Sequence, residues 1–377
     1  MAYAGPVPRS HRRQGSIARL ALGASACAGA AGLVIALGVG SAIGAGTAPG
    51  ASVAAAAPAA APGPAETKTL TETNGAETGM RVSDILIEGP AARTAVGSPN
   101  RVGSAAVPVR RYDPEGEPWA TLVWAHGGSF VRGTLDWPEA DWVSRRFAEA
   151  GLRVYSVDYA LASDSVKAPA PGNDVAAVLG SVIADSGSGA VFIGGASAGA
   201  HLAALAALSV AESATSGSGR PADALILEYP TLHRVQRADP AIAEATAGLP
   251  EQRRFGAGRI AEMYDFYLGS GDPSSGDPSS GELAADPAPV VAGELPAAAL
   301  ALLPPTIIVN ADADDLRASG EQFAEQLRAA GVTVVEDVQP GTVHGYLNRP
   351  DESDRARADA SATIDRFVAE LRAISAR

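Results

Sequence analysis

The chain predicts an α/β protein, with a mostly parallel central sheet, helices on both faces and a lid or cap insertion. Three observations carry this. From about residue 83, short β-branched apolar runs alternate with longer Ala-rich amphipathic segments, the pattern of repeated strand–helix units. Five of those runs are nearly continuous in apolar residues, as strands covered on both faces must be. Between Pro230 and Pro305 the alternation fails for long enough to hold an added element.

In chain order, the expected strands are Ala105–Tyr112, Thr121–Ala125, Arg153–Asp158, Ala190–Gly195, Ala224–Tyr229, Thr306–Ala311 and Val332–Val338. Helices are expected over Pro138–Ala150, Asn173–Asp185, Ala198–Glu212, Leu316–Ala330 and Ser353–Ile374. For the helix from Leu316, Asp315 stands where an N-cap would serve and Gly331 where a helix stops. The irregular region contains an amphipathic piece around Ile260–Leu268, then a tandem GDPSS duplication that reads as a surface excursion. Cap elements are expected within residues 66–100 and 231–300, and the main folded domain over 66–377.

Residues 1–65 are different in kind. They contain no Asp or Glu and only four basic side chains other than histidine, Arg9, Arg12, Arg13 and Arg19. An apolar stretch from about Leu20 to Ala48 follows, then small residues with A-x-A cleavage sites and an Ala/Pro linker. That order is the order of a secretory signal. The apolar stretch also approaches the length that spans a bilayer, so a single-pass anchor with the folded body outside is the alternative.

The chain has 29 Lys and Arg against 42 Asp and Glu, a net charge of −13. Beyond residue 65 the balance is 25 to 42, or −17. So acidic a body repels phosphate backbones, which argues against nucleic acid as a partner. Cys27, the only cysteine, lies in the apolar N-terminal stretch, so disulfides and Cys-based metal sites or nucleophiles are excluded from the body.

Gly is so abundant, 42 of 377 residues, that a lone G-x-S-x-G proves little. Its position is what gives it content. Gly195-Ala196-Ser197-Ala198-Gly199 closes one expected strand and opens the next expected helix. A serine on such a sharp turn presents its hydroxyl above the sheet, and the glycines let strand and helix approach. His344, in the loop after the last expected strand, is the candidate base. Asp314, just after Thr306–Ala311, is the candidate acid, with Asp312 its competitor; one of Asp312, Asp314 and Asp315 is expected to cap the following helix. His201, four residues after the serine, reads as a helix residue beneath the site. The expected oxyanion donors are the backbone N–H groups of Gly127 and Gly128, after the strand Thr121–Ala125, and of Ala198.

These segments together resemble the α/β-hydrolase superfamily, and within it the bacterial hormone-sensitive-lipase-like esterases. "VPVRRYDPEG" is similar to the family's early strand, "AHGGSF" to its HGGG motif and "VDYALASDSVKAPAPGND" to its DYRLAPE segment. "GASAGAHLA" resembles the GDSAGG elbow, "EYPTL" the family's strand end, "ADADDLRASGEQFAEQLRAAGV" its acid-bearing segment and "HGY" its HGF. Ser129 replaces the third glycine of HGGG, Ala196 the usual Asp beside the nucleophile, and Ala200 the last glycine of the elbow. Ala160, Ala162 and Ser163 depart from RLAPE.

The resemblance implies the α/β-hydrolase fold and a secreted or cell-surface carboxylesterase or lipase-like enzyme. Its substrates would be small carboxylic esters of short to medium acyl chain, cleaved through a Ser197–His344–Asp314 triad with no cofactor or metal. An arylformamidase-like amide hydrolase and a non-catalytic binding protein of the same fold are the other readings.

Overall fold

The computed structural model describes residues 68–74, 79–88, 106–269 and 291–376. The expected signal or anchor, the linker and the GDPSS duplication lie outside the described residues.

Among the described residues nine strands form one sheet: β1 (Lys68–Asn74), β2 (Arg81–Ile87), β3 (Val107–Asp113), β4 (Ala120–Ala125), β5 (Leu152–Val157), β6 (Val191–Ala196), β7 (Ala224–Glu228), β8 (Thr306–Ala313) and β9 (Val334–Val343). Their spatial order is β1-β2-β3-β5-β4-β6-β7-β8-β9. Pairing is antiparallel from β1 through β3 to β5 and parallel from β5 to β9.

The chain passes from β4 outward to β5, then returns across β4 to β6. That reversal opens a crevice at the carboxyl ends of β4 and β6, the place where open α/β sheets bind ligands.

The helices are α1 (Asp141–Glu149), α2 (Ala170–Asp185), α3 (Ala198–Thr215), α4 (Pro240–Thr246), α5 (Ala257–Leu268), α6 (Ala297–Leu300), α7 (Arg317–Ala329) and α8 (Asp354–Ser375). Side chains alternate along each strand, so β4 sends Leu122 and Trp124 to one face and Val123 and Ala125 to the other. Val123 and Ala125 join a core with Val178, Leu202 and Phe323 from α2, α3 and α7. Leu122 and Trp124 join a second core with Phe147, Phe367 and Leu371 from α1 and α8. Both faces of the central strands are therefore dry, which is why they read as unbroken apolar runs. Among the described residues no helix is long and apolar enough to cross a membrane.

Two expectations change. Within 66–100, where cap elements are expected, residues 68–74 form the edge strand of the sheet and 81–87 the strand beside it. Edge strands gain their place from backbone pairing, and Ser83 and Asp84 break the apolar run that marks the central ones. Nor does Asp315 cap α7. Leu316 stands at that helix's N-cap with no side-chain bond, and its own N–H is taken by the Asp314 carboxylate at 2.9 Å. Gly331 does follow the end of α7, with φ +87°.

Candidate active site

The elbow is built from close backbone approaches. Ser197 sits between β6 and α3 with φ 53° and ψ −118°, a strained conformation for any residue with a side chain. A Cβ on Gly195 would lie 2.6 Å from the Ala125 carbonyl oxygen, and one on Gly199 only 2.1 Å from it. Both glycines are thus required by β4 next door. Among the described residues, the non-glycine positions with positive φ are Ser129, Phe130, Ser197 and Tyr229. All four lie just past the ends of β4, β6 and β7, so the backbone strain is concentrated at this edge of the sheet.

Ser197, His344 and Asp314 come from three different strand ends and meet. Ser197 Oγ lies 3.0 Å from His344 Nε2, and His344 Nδ1 donates to Asp314 Oδ2 at 2.7 Å. Asp314 is buried, and its other oxygen accepts from the Leu316 N–H, which restrains the carboxylate. Tyr229 and Phe255 pack edge-on against the His344 ring, with centroids 4.9 and 4.5 Å away. Asp312 faces elsewhere, accepting from the Gly341 N–H at 2.8 Å and pairing with Arg317 at 3.4 Å.

Asp315, one residue along from the acid, turns its carboxylate the opposite way. It receives Arg254 Nε, the Phe255 N–H and the Thr246 hydroxyl at 2.8, 2.7 and 2.9 Å. Burial works against its charge, but these hydrogen bonds prevail and hold it below the usual carboxylate range. The segment carrying α4 and α5, within the expected cap of 231–300, is thereby fastened to the end of β8. Through it, Phe255 reaches His344.

The oxyanion loop after β4 corrects one expectation. The Gly127 N–H donates to Glu139 Oε2 at 2.5 Å, so it is not available to a substrate oxygen. The N–H groups of Gly128, Ser129 and Ala198 have no acceptor among the described residues. Ser129, at the position of the third glycine, has φ 56°. Gly128 has φ +120°, and a Cβ there would strike the Arg132 carbonyl oxygen at 1.8 Å.

His126 fastens the loop from below. Its Nδ1 donates to the Gly127 carbonyl at 2.7 Å, its ring stacks on Tyr159 at 4.6 Å, and burial keeps its pKa low and the ring neutral. His201 is likewise buried on α3, bonded to the Tyr264 hydroxyl at 3.2 Å. His233 bonds Ser319 and Gln326 at 2.9 and 3.0 Å, away from the serine.

Glu139 escapes sequence reasoning altogether. Its buried carboxyl group bridges the Gly127 N–H and the Tyr229 hydroxyl, 2.5 Å from each. In "DWPEA" it reads as an acid at a helix start, where negative charge is commonplace. No local signal distinguishes it. Ala196 is fully buried and makes no such link, so the tie between elbow edge and oxyanion loop comes from Glu139 instead.

The cleft in front of Ser197 measures about 540 Å³, large enough for a small organic ligand. Among the described residues no group of three or more His, Cys, Asp or Glu side chains is arranged to hold a metal ion.

Residues 122–348 match the model of a family described by its alpha/beta hydrolase fold. Two curated relatives come from Mycobacterium tuberculosis. Carboxylic ester hydrolase LipN is 30% identical over 290 residues, covering 73% of this chain and 66% of LipN. Carboxylesterase NlhH is 32% identical over 256 residues, covering 65% of this chain and 73% of NlhH. Among solved structures, a hyperthermophilic esterase from the archaeon Pyrobaculum calidifontis matches with TM-score 0.59 and 26% identity, over 77% of this chain and 86% of that one.

Proposed function

The chain belongs to the α/β-hydrolase family, among carboxylesterase-like hydrolases of the hormone-sensitive-lipase-like type, and on that premise we propose that it cleaves small carboxylic esters of short to medium acyl chain. The observation that carries this reading is the continuous hydrogen-bonded line from Ser197 through His344 to Asp314, set beside three N–H groups without acceptors among the described residues.

In this reading Ser197 Oγ attacks the acyl carbon while His344 Nε2 takes its proton. Asp314 holds the imidazole in the tautomer that leaves Nε2 free to accept, and stabilises the imidazolium that forms. The negative oxygen of the tetrahedral intermediate receives the N–H groups of Gly128, Ser129 and Ala198, which are already oriented by the fold. His344 then passes its proton to the leaving alkoxide, and the alcohol departs from an acyl-serine. Water repeats the sequence, giving its proton to His344 and its hydroxyl to the acyl carbon, which releases the acid and restores Ser197.

Ser197→Ala is the direct test. The variant is expected to fold, to lose p-nitrophenyl butyrate hydrolysis and to resist labelling by a fluorophosphonate probe. Retained turnover at the parent rate would refute the assignment. The order of basic, apolar and Ala/Pro segments in residues 1–65 supports export, and the N-terminus of the mature protein reads out cleavage against anchoring.

A further inference from the structure

Four arginines line the cleft in front of Ser197: Arg132, Arg253, Arg259 and Arg349. This is unexpected in a chain of net charge −13. Arg132 follows the oxyanion loop, Arg253 and Arg259 come from the segment around α5, and Arg349 lies five residues past His344.

Their charges are poorly met. Arg132 is exposed and its guanidinium has no partner among the described residues. Among the described residues Arg259 donates only to main-chain carbonyls, those of Gln252 and Arg254, and lies over the Phe255 ring at 4.3 Å. Arg253 and Arg349 share one carboxylate, Glu352, at 3.4 and 3.8 Å. The only carboxyl group among the described lining residues is Glu139, and both its oxygens are engaged by Gly127 and Tyr229. Burial first, then the neighbouring Arg253 charge, pull the Arg349 guanidinium below its ordinary pKa. Cations crowded in this way are relieved by an added anion.

We propose that the ester taken by this site bears an anionic group, a carboxylate or phosphate, which the arginines of the cleft receive while the ester carbonyl sits at Ser197. The inference rests on the hydrolase reading and narrows its substrate class. Arg259 and Arg349 have structural tasks as well, supporting Phe255 and the His344 loop. Arg132 has none of that kind and Arg253 has only its exposed contact with Glu352, which makes them the informative positions. A cationic cleft on an acidic body also draws in anions while the rest of the surface repels them.

The test uses two matched pairs of esters, each rate corrected for spontaneous hydrolysis. On the acyl side, p-nitrophenyl hydrogen glutarate is compared with p-nitrophenyl valerate; on the alcohol side, the butyrate ester of 4-hydroxybenzoate with that of 4-hydroxybenzamide. At low salt, kcat/KM is expected to be about tenfold higher for the anionic member of at least one pair, equivalent to about 1.4 kcal/mol. The pair that responds tells which part of the substrate carries the charge. The preference should shrink as salt rises from about 0.02 M to about 0.5 M, since these arginines are partly exposed. Arg132→Gln and Arg253→Gln should each lower the anionic-to-neutral ratio. Equal or faster turnover of the neutral member in both pairs would overturn the inference and leave the hydrolase reading intact. No turnover of any of the four, with no fluorophosphonate label on Ser197, would overturn both.

Discussion

The floor of the cleft, at the ends of β4, β6 and β8, and its wall, contributed by residues 231–269, are held by different kinds of contact. In the floor the decisive contacts are backbone against backbone: Gly195 and Gly199 against Ala125, Gly128 against Arg132. The wall depends on side chains, and three of its residues, Thr246, Arg254 and Phe255, converge on the single carboxylate of Asp315. A floor of this kind rejects an added methyl group but accepts changes of side-chain chemistry around it. The wall can be loosened by one substitution, and two of the four cleft arginines, Arg253 and Arg259, belong to it.

That contrast is open to attack from the floor first. Asp314→Asn should lower kcat by about 10⁴-fold while the protein keeps its melting temperature to within a few degrees, because an amide in that position favours the wrong imidazole tautomer. Steady-state kinetics on a soluble p-nitrophenyl ester would measure it, and a loss under tenfold would mean that the acid is elsewhere.

Glu139→Gln comes next. The amide oxygen can accept from only one of the pair that Glu139 now serves if its NH₂ faces the other, so the oxyanion loop loses a fixed point. About a tenfold fall in kcat with little change in KM is expected, since the loop acts on the transition state more than on bound ester. A purely structural role would lower the melting temperature and leave kcat per folded molecule alone.

In the wall, Asp315→Ala should lower kcat/KM several-fold and the melting temperature by a few degrees, with increased amide exchange over residues 240–256. If Phe255 and Arg254 were held by other means, exchange there would not change.

The smallest effect concerns pH and touches no reacting group. Burial, reinforced by His233, pushes His201 down to about 3, so the folded state keeps this ring neutral. An unfolded chain binds a proton there near pH 6.5, and between that pH and about 3 the unfolded state therefore holds more protons. Stability from this residue is complete above pH 6.5 and is lost as pH falls through that window. His201→Gln should flatten the acid side of the melting-temperature profile, and an unaltered slope would assign it to other groups.

What could be read from the sequence follows the same division. The elbow, the histidine loop and the acid-bearing strand end are local: a nucleophile between glycines, an acid just past a strand, a histidine in the last loop. Their places along the chain point to Ser197, to His344 and to Asp314 with Asp312 as its competitor, and the geometry brings Ser197, His344 and Asp314 within hydrogen-bond reach. Which way adjacent side chains turn is not local. Asp314 and Asp315 are the same residue type in the same turn, yet one faces His344 and the other faces Arg254, 61 residues earlier in the chain. For the same reason Gly127 was expected as a donor to substrate, although its N–H is already committed to a side chain 12 residues ahead. The two outer strands β1 and β2 were missed because the apolar run that announces a central strand is absent at an edge.

The bridge made by Glu139 bears on how such chains are compared with one another. Aligned column by column, Ala196 registers as the loss of an acid from the elbow. In space, a carboxyl group still stands at the oxyanion loop, delivered from the entrance of a different helix and joined to the far side of the elbow through Tyr229. Such a contact joins positions far apart in the chain, so the letters of the elbow motif alone do not disclose it.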